Sequence, residues 1–591
     1  MTTRPTLRGT FGMVSSTHWL ASQTAMAELE AGGNAFDAVV AGAFVLHVVE
    51  PHLNGPAGEV PAVFATAEDP RPTVLCGQGT APEQATVSHY RGLGLDLVPG
   101  SGLLAAAIPG AVDAWLMLAR DHGSRRLRDV LAYAVGYARA GHPLLPRSAA
   151  TVATMQELFT EHWPSSAELW IPHGRLPRPW ELVTNPAYAD VLDRLVAEGE
   201  AAGPGREAEY DAARRAWSQG FVADAVDAFA RRPFRDSSGS DHAGVITGAD
   251  LAGWSASYEP AVTHRFAGYE VAKTDLWGQG PVLLQSLGML DRLPSTAVDP
   301  STVEGVHTLT EVLKLAFADR EAWYGDASDV SVAELLDPAY LAERAALVSD
   351  AASWELRPGS PGGREPRLAS AVLAGSGSGP TSAGLGEPTV SADGETRGDT
   401  CHIDVVDRWG NIVSATPSGG WLQSSPVIPE LGFPLGSRLQ MCWLDEGLPA
   451  TLTPGRRPRT TLSPTLVLRD GVPTHALGTP GGDQQDQWQL VLLLRLLVGG
   501  QELQEAIDAP MFHTDAFPSS FYPRESEPGS LVAESRIGDD VLAALAARGH
   551  DVTTVRPWLL GRLSAVSRDP ETGLLSAGAN PRGNQGYAVG R

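Results

Sequence analysis

Apolar positions change their period from block to block along this 591-residue chain. Residues 21–31 are rich in Ala, Met and Glu, and Gly32-Gly33-Asn34 interrupts them. Asn34 can cap a following helix, since its side-chain oxygen can accept a first-turn backbone N–H. The next run, residues 35–49, is nearly all Ala, Val, Phe and Leu, and a helix apolar on most sides is a buried one. Pro51 ends it. A second helical block is expected over 109–140, with Gly141-His142-Pro143 as its stop. Residues 305–324 predict an amphipathic helix with Val306, Leu309, Val312, Leu313, Leu315 and Ala316 as its apolar members.

From Thr400 the pattern turns to strands. Ile403, Val405 and Val406 are β-formers, 407–411 reads as a turn, and 412–416 returns. A second hairpin is expected over 464–477 about Arg469-Asp470-Gly471. Gly481-Gly482 leads into a helix over 484–498, stopped by Gly499-Gly500. The chain should close with a helix (539–548), a strand (551–555) and a hairpin about residues 569–573. Helices flanking packed hairpins argue for an α+β fold.

Residues 357–398 break this order. They are dominated by Gly, Ser, Pro and Ala, the composition of a flexible linker. The chain thus divides into 1–399 and 400–591, and its length alone suggests about three to four domain equivalents.

Composition narrows the function. Acidic residues outnumber basic ones 69 to 44, a net charge of −25, which disfavours a nucleic-acid partner. Lys273 and Lys314 are the two lysines, neither follows a glycine, and a phosphate-binding Gly-Lys loop is therefore excluded. Cys76, Cys401 and Cys442 are too few and too odd for a disulfide framework, and no Cys/His spacing suits zinc. No metal or cofactor is implied. The first residues hold two arginines but no apolar core of a secretion signal, and no run is long enough to span a membrane. A cytoplasmic protein with a small-molecule substrate is expected.

The candidate chemistry lies where the linker ends, at Thr400-Cys401-His402. A threonine hydroxyl is a weak nucleophile and needs a base. Its own α-amine, with a pKa of about 7.7–8.0, is one, but only after the bond between Asp399 and Thr400 is cut.

Several segments resemble the γ-glutamyltranspeptidase family. "GDTCHIDVVDRWGNIVSAT" is similar to its processing site, and "RRPRTTLSPTLVLRDGVPTHALGTPGG" to its hydroxyl-bearing segment and Gly-Gly loop. "SSTHWLASQTAMAELEAGGNAFDAVVAGAFVLHVVEPH", "HTLTEVLKLAFADREAWYGD" and "DAPMFH" resemble further family segments, so the likeness spans nearly the whole chain. It implies a four-layer αββα sandwich of the N-terminal-nucleophile class and autocleavage between Asp399 and Thr400 into large and small subunits. It implies an acyl-enzyme on Thr400, support from Ser418, and an oxyanion hole from the N–H groups of Gly481 and Gly482.

The substrate-reading end departs from the family. Thr460 and Thr461 occupy its two hydroxyl positions, but Gln78 stands where it has an arginine. Its α-amino contacts become Gly420 and Asp445, Glu59 is inserted in the glycine run "NGPAGEVPAVF", and a Pro- and Ser-rich loop becomes "TDLWGQGP". A charged fork replaced by a neutral amide implies a substrate other than a plain γ-glutamyl amide, or one held differently. Relatives with altered pockets include β-lactam side-chain acylases. Others, in actinobacterial pathways to alkylproline antibiotics, hydrolyse a C–C bond beside a carbonyl. An inactive homologue used for binding is the third reading.

Overall fold

The computed structural model describes residues 2–374, 389–390, 396–397, 400–582 and 586–591. Two seven-stranded sheets organise them. The spatial order in the first is Tyr587–Gly590, Gly12–Ser16, Ile403–Asp407, Ile412–Ala415, Val60–Ala65, Thr73–Gly77 and Ser257–Pro260. In the second it is Leu7–Gly9, Leu575–Ala579, Ser564–Arg568, Val472–Gly478, Thr465–Arg469, Tyr269–Lys273 and Val262–Phe266. Pairings within both sheets are antiparallel, with Ile403 opposite Ser16 on one side and Ala415 on the other.

The period-two rule sorts the side chains of the central strands between two cores. Met13, Val406 and Ile412 join Leu466, Ala476 and Val566 in a core between the sheets. Val14, Val405 and Val413 point the other way, into a core with Val39, Ala43 and Trp115. That second core is roofed by the helices Trp19–Glu30, Ala35–Val49, Ala111–His122 and Leu127–Ala140. On the far side of the molecule Pro281–Leu290, Val303–Trp323 and Gln485–Leu493 pack over Val467, Leu477 and Ala565. The protein is α+β, and no described helix is long and apolar enough to cross a membrane.

Local signals explain several boundaries. Asn34 caps the helix from Ala35, accepting from the Phe36 and Asp37 amides, while Asp37 accepts from the Asn34 amide. Asp470 (φ 51°) and Gly471 (φ 78°) close the 465–478 hairpin as a two-residue turn. The block expected over 109–140 is two helices, because the amides of Ser124 and Arg125 turn aside to donate to Asp37. The helix expected over 484–498 is α-helical to Leu493 and π-helical from Leu494 to Val498.

The helix at 303–323 is not amphipathic. Every residue from Gly305 to Trp323 is buried, charged ones included. Its charges are covered because they are paired: Lys314 with Glu311 at 2.7 Å, Arg344 with Asp319 at 3.1 Å, Arg320 with Glu321 at 2.8 Å. The Gly/Ser/Pro-rich stretch begins as packed chain. The Gly359 amide donates to Asp319 (2.7 Å), and Pro361 and Ala369 are buried. The cleavage residue Asp399 lies outside the described residues.

Candidate active site

Thr400 sits at the head of the strand Ile403–Asp407, in the middle of the first sheet, and is 1% exposed. Neighbouring chain fixes it from several sides. The Cys401 amide donates to Pro417 O (3.0 Å), and the Thr17 amide to His402 O (3.1 Å). The carboxylate of Glu50 accepts from both the Cys401 thiol (3.0 Å) and the Thr17 hydroxyl (2.6 Å). The Thr400 hydroxyl donates to Ser418 Oγ at 3.4 Å.

His402, two residues on, is buried between the sheets. Its ring nitrogens meet Thr416 Oγ1 and Asp404 Oδ1, both at 2.9 Å. When Asp404 is ionised it only accepts, and Nε2 then carries the proton while Nδ1 accepts from the threonine. Burial pushes the Asp404 carboxyl above the usual carboxylate range, against the pull of His402. A Cβ on Gly478 would stand 2.2 Å from His402 Cε1, so the second sheet lies flat on this ring.

Gly481 and Gly482 follow Gly478 by three and four residues. Gly481 has φ 131°, and a Cβ there would stand 2.4 Å from the ring of buried Trp488. The peptide is anchored from behind: Gln279 Nε2 donates to Gly482 O (3.2 Å), and Asp483 is ion-paired with buried Arg320. Backbone amides held rigid before the reaction are what an oxyanion hole requires. Gly481→Ala should therefore lower stability by about 2–4 kcal/mol, combining left-handed strain with a clash, as a denaturant melt would read. An unchanged midpoint would show that the loop is not held as described.

The expected substrate residues fall into two groups. Gln78 follows the strand Thr73–Gly77, and the chain beyond it pairs with the loop before Thr460: the Ala81 amide donates to Arg456 O (2.8 Å), and the Gly455 amide to Ala81 O (2.9 Å). Gln78, Thr460 and Thr461 are buried, and Gln78 Oε1 and Thr461 Oγ1 have no hydrogen-bond partner among the described residues. Gly420 packs on Gly55 and Gly58. Asp445 lies on a half-buried loop, where its carboxylate accepts from Ser370 Oγ (2.6 Å).

Sequence reasoning missed His402, Gln279 and Arg320 as supports, although all three lie in the family-like segments or the altered "TDLWGQGP" loop. It also missed Arg438, which donates to Ser418 Oγ (3.1 Å) and is ion-paired with Glu59. No group of three or more His, Cys, Asp or Glu among the described residues could hold a metal ion. A cavity of about 520 Å3 lined by Asp299, Arg495, Gln501 and Arg536 contains none of these site residues.

Residues 21–590 match the gamma-glutamyltranspeptidase family. The chain belongs to that family. It is thus an enzyme, a hydrolase of the N-terminal-nucleophile kind. The solved structure LmbA2991HD is 59% identical with a TM-score of 0.94, both chains being covered in full. The oxamate amidohydrolase proenzyme of Klebsiella pneumoniae is 31% identical over 98% of each chain. The cephalosporin acylase of Bacillus halodurans superposes with a TM-score of 0.82 at 26% identity, covering 100% of this chain and 97% of its own.

Proposed function

We propose that this gamma-glutamyltranspeptidase-family chain is a precursor that cuts itself between Asp399 and Thr400 and then hydrolyses an acyl amide through Thr400. The observation that carries this reading is the buried Thr400 hydroxyl, directed at Ser418 from the centre of a sheet. The two sheets and their outer helices are read as the αββα sandwich of the class, with 1–399 as large and 400–591 as small subunit.

In this reading the freed α-amine takes the Thr400 hydroxyl proton as the oxygen attacks the substrate carbonyl. Gly481 and Gly482 amides receive the oxyanion; losing one such donor typically costs about 3–4 kcal/mol. The amide nitrogen leaves with the proton, and water, the default acceptor, releases the acyl group. Strong acceleration by added dipeptide acceptors would argue for transfer instead of hydrolysis. The names of two relatives, an oxamate amidohydrolase and a cephalosporin acylase, support amide bonds outside the γ-glutamyl class. Gly420 and Asp445 are carried over as substrate contacts by resemblance alone, and the position of Asp445 beside Ser370 makes it the weaker of the two.

Neutral Gln78 in place of an arginine also favours a second reading, hydrolysis of a C–C bond beside a carbonyl, since attack on a carbonyl opens both reactions. Intact-mass analysis of the fragment that begins at Thr400, after incubation with candidate amides and ketones, separates the two. An adduct from neither class would leave the third reading, a binding homologue.

γ-Glutamyl anilide should be a poor substrate. An α-carboxylate facing Gln78 lacks a charge-assisted bond of about 1.5–3 kcal/mol, which is roughly ten- to more than a hundredfold in kcat/KM. Gln78→Arg is expected to recover part of that factor. Parental turnover equal to that of an ordinary transpeptidase would refute a rebuilt substrate end.

A further inference from the structure

Ser418 is held by one residue in two ways. Its amide donates to Glu59 O (3.0 Å) and its carbonyl accepts from the Glu59 amide (2.9 Å), an isolated antiparallel bridge. The Glu59 side chain then ion-pairs with Arg438, and Arg438 donates a further N–H to Ser418 Oγ at 3.1 Å. The main chain and side chain of Ser418 are thus tied to the same carboxylate-bearing residue. Between them lies Gly419, where a Cβ would stand 2.5 Å from Glu59 Oε2.

Arg438 has little freedom to do anything else. It is 2% exposed, its third nitrogen faces Met441 Sδ (3.3 Å), and its guanidinium lies 5.4 Å from the Trp421 ring centre. The Trp421 indole N–H is itself fixed on Leu53 O (2.9 Å). Glu59 and Arg438 lie 379 residues apart in the chain, so the fold brings them together on purpose of neither local segment.

We propose that Glu59 and Arg438 form a positioning pair that orients the Ser418 hydroxyl toward Thr400. The proposal rests on the reading of Thr400 as the nucleophile. With Arg438 occupying one lone pair of Ser418 Oγ, the other is set to accept from the Thr400 hydroxyl. As Thr400 Oγ1 loses its proton and attacks, the Ser418 hydroxyl, kept in place by Arg438, turns its own O–H to donate to the charge that develops there. A bond to a charged donor is stronger than one between neutral groups, and less mobile. Glu59 holds the guanidinium in this place and cancels its net charge; burial pushes the Glu59 carboxyl upward while Arg438 opposes that.

The test uses the protein's own bond at 399–400 and needs no substrate. Precursor processing is timed on denaturing gels for Arg438→Gln, Arg438→Lys and the double variant Glu59→Gln/Arg438→Gln, with melting temperature as the fold control. Arg438→Gln should be less stable, because Glu59 loses its counter-charge, and at a temperature where it remains folded it should process at least about tenfold slower; Arg438→Lys, which keeps a charged donor but not the fork, should lie between it and the parent. The double variant removes both buried charges together, a change that leaves stability nearly neutral. It should be as slow as Arg438→Gln, because the pair acts as a unit. Where the single variant misfolds, the double variant is decisive. Parental processing rates in a folded double variant would overturn the pair. Thr400→Ala separates the two levels: cleavage in that variant defeats the nucleophile reading itself, whereas a blocked Thr400→Ala beside a fast Arg438→Gln defeats the positioning pair alone.

Discussion

Thr400→Ala should remain a single 591-residue polypeptide under conditions in which the parent separates into residues 1–399 and 400–591. The substitution removes the hydroxyl that the geometry directs at Ser418 Oγ, and leaves the strand that carries it intact. Loss of a hydrolase nucleophile typically lowers the rate by roughly 10^6-fold, far beyond the reach of a gel time course. The cavity left by the side chain is small, so the fold should survive and the block should be chemical. Thr400→Ser, which keeps the hydroxyl, should still process. A time course with denaturing gels and N-terminal sequencing of the smaller fragment decides the matter. A fragment beginning anywhere but Thr400 would displace the assignment.

The second large effect is acid lability. His47, His52, His142 and His550 are all buried, and burial pushes their imidazoles from 6.5 to about 3, about 3, about 4 and about 3. A folded-state pKa below the unfolded one means that the unfolded chain binds the proton first. Their contribution is complete above about pH 6.5 and is lost as pH falls through the window toward 4. Each histidine contributes a slope of about 1.4 kcal/mol per pH unit there, so four give roughly 5 kcal/mol per unit. Buried carboxyls work in the opposite direction. Glu28 is pushed by burial to about 7 despite Arg125, and so gains its proton in the folded chain first as pH falls. Burial raises the Glu59, Asp319, Asp404, Asp407 and Asp486 carboxyls as well, which offsets the histidine sum, so the contribution of one ring is read by difference. Denaturant stability at pH 7, 6, 5 and 4.5 should fall by about 1.4 kcal/mol per unit less in His47→Gln than in the parent. Equal pH slopes in the two proteins would mean that the His47 ring is not held neutral.

Residues close in the chain were the legible ones. Asn34 before an apolar run, Asp470-Gly471 between two β-rich runs, and Gly481-Gly482 before a helix each carry their instruction within a few residues. The strand Gly12–Ser16 carries none, because it is buried on both faces and shows no alternation. The helix at 303–323 misled for the opposite reason. Its charges mark a solvent face by pattern, but Arg320 reaches Asp483 and Asp319 reaches Arg344, partners that no window includes. The site divided in the same way. Thr400, Ser418 and the glycine pair stood in contiguous segments. Arg438 had no local signal, since its role depends on Glu59, which stood out only as an interruption of a glycine run.

Both sheets combine strands from the two sides of residue 400. Gly12–Ser16 lies between Ile403–Asp407 and Tyr587–Gly590, and Leu7–Gly9 pairs with Leu575–Ala579. A cut at 399–400 would therefore yield two polypeptides with no interface between them in the ordinary sense, only a shared interior. Dilution could not part them, for neither has a face to close over once the other is gone. Expressed from separate genes, each would lack the neighbours its strands need, so a cut at 399–400 would have to follow folding. The order of those two events is woven into the sheet.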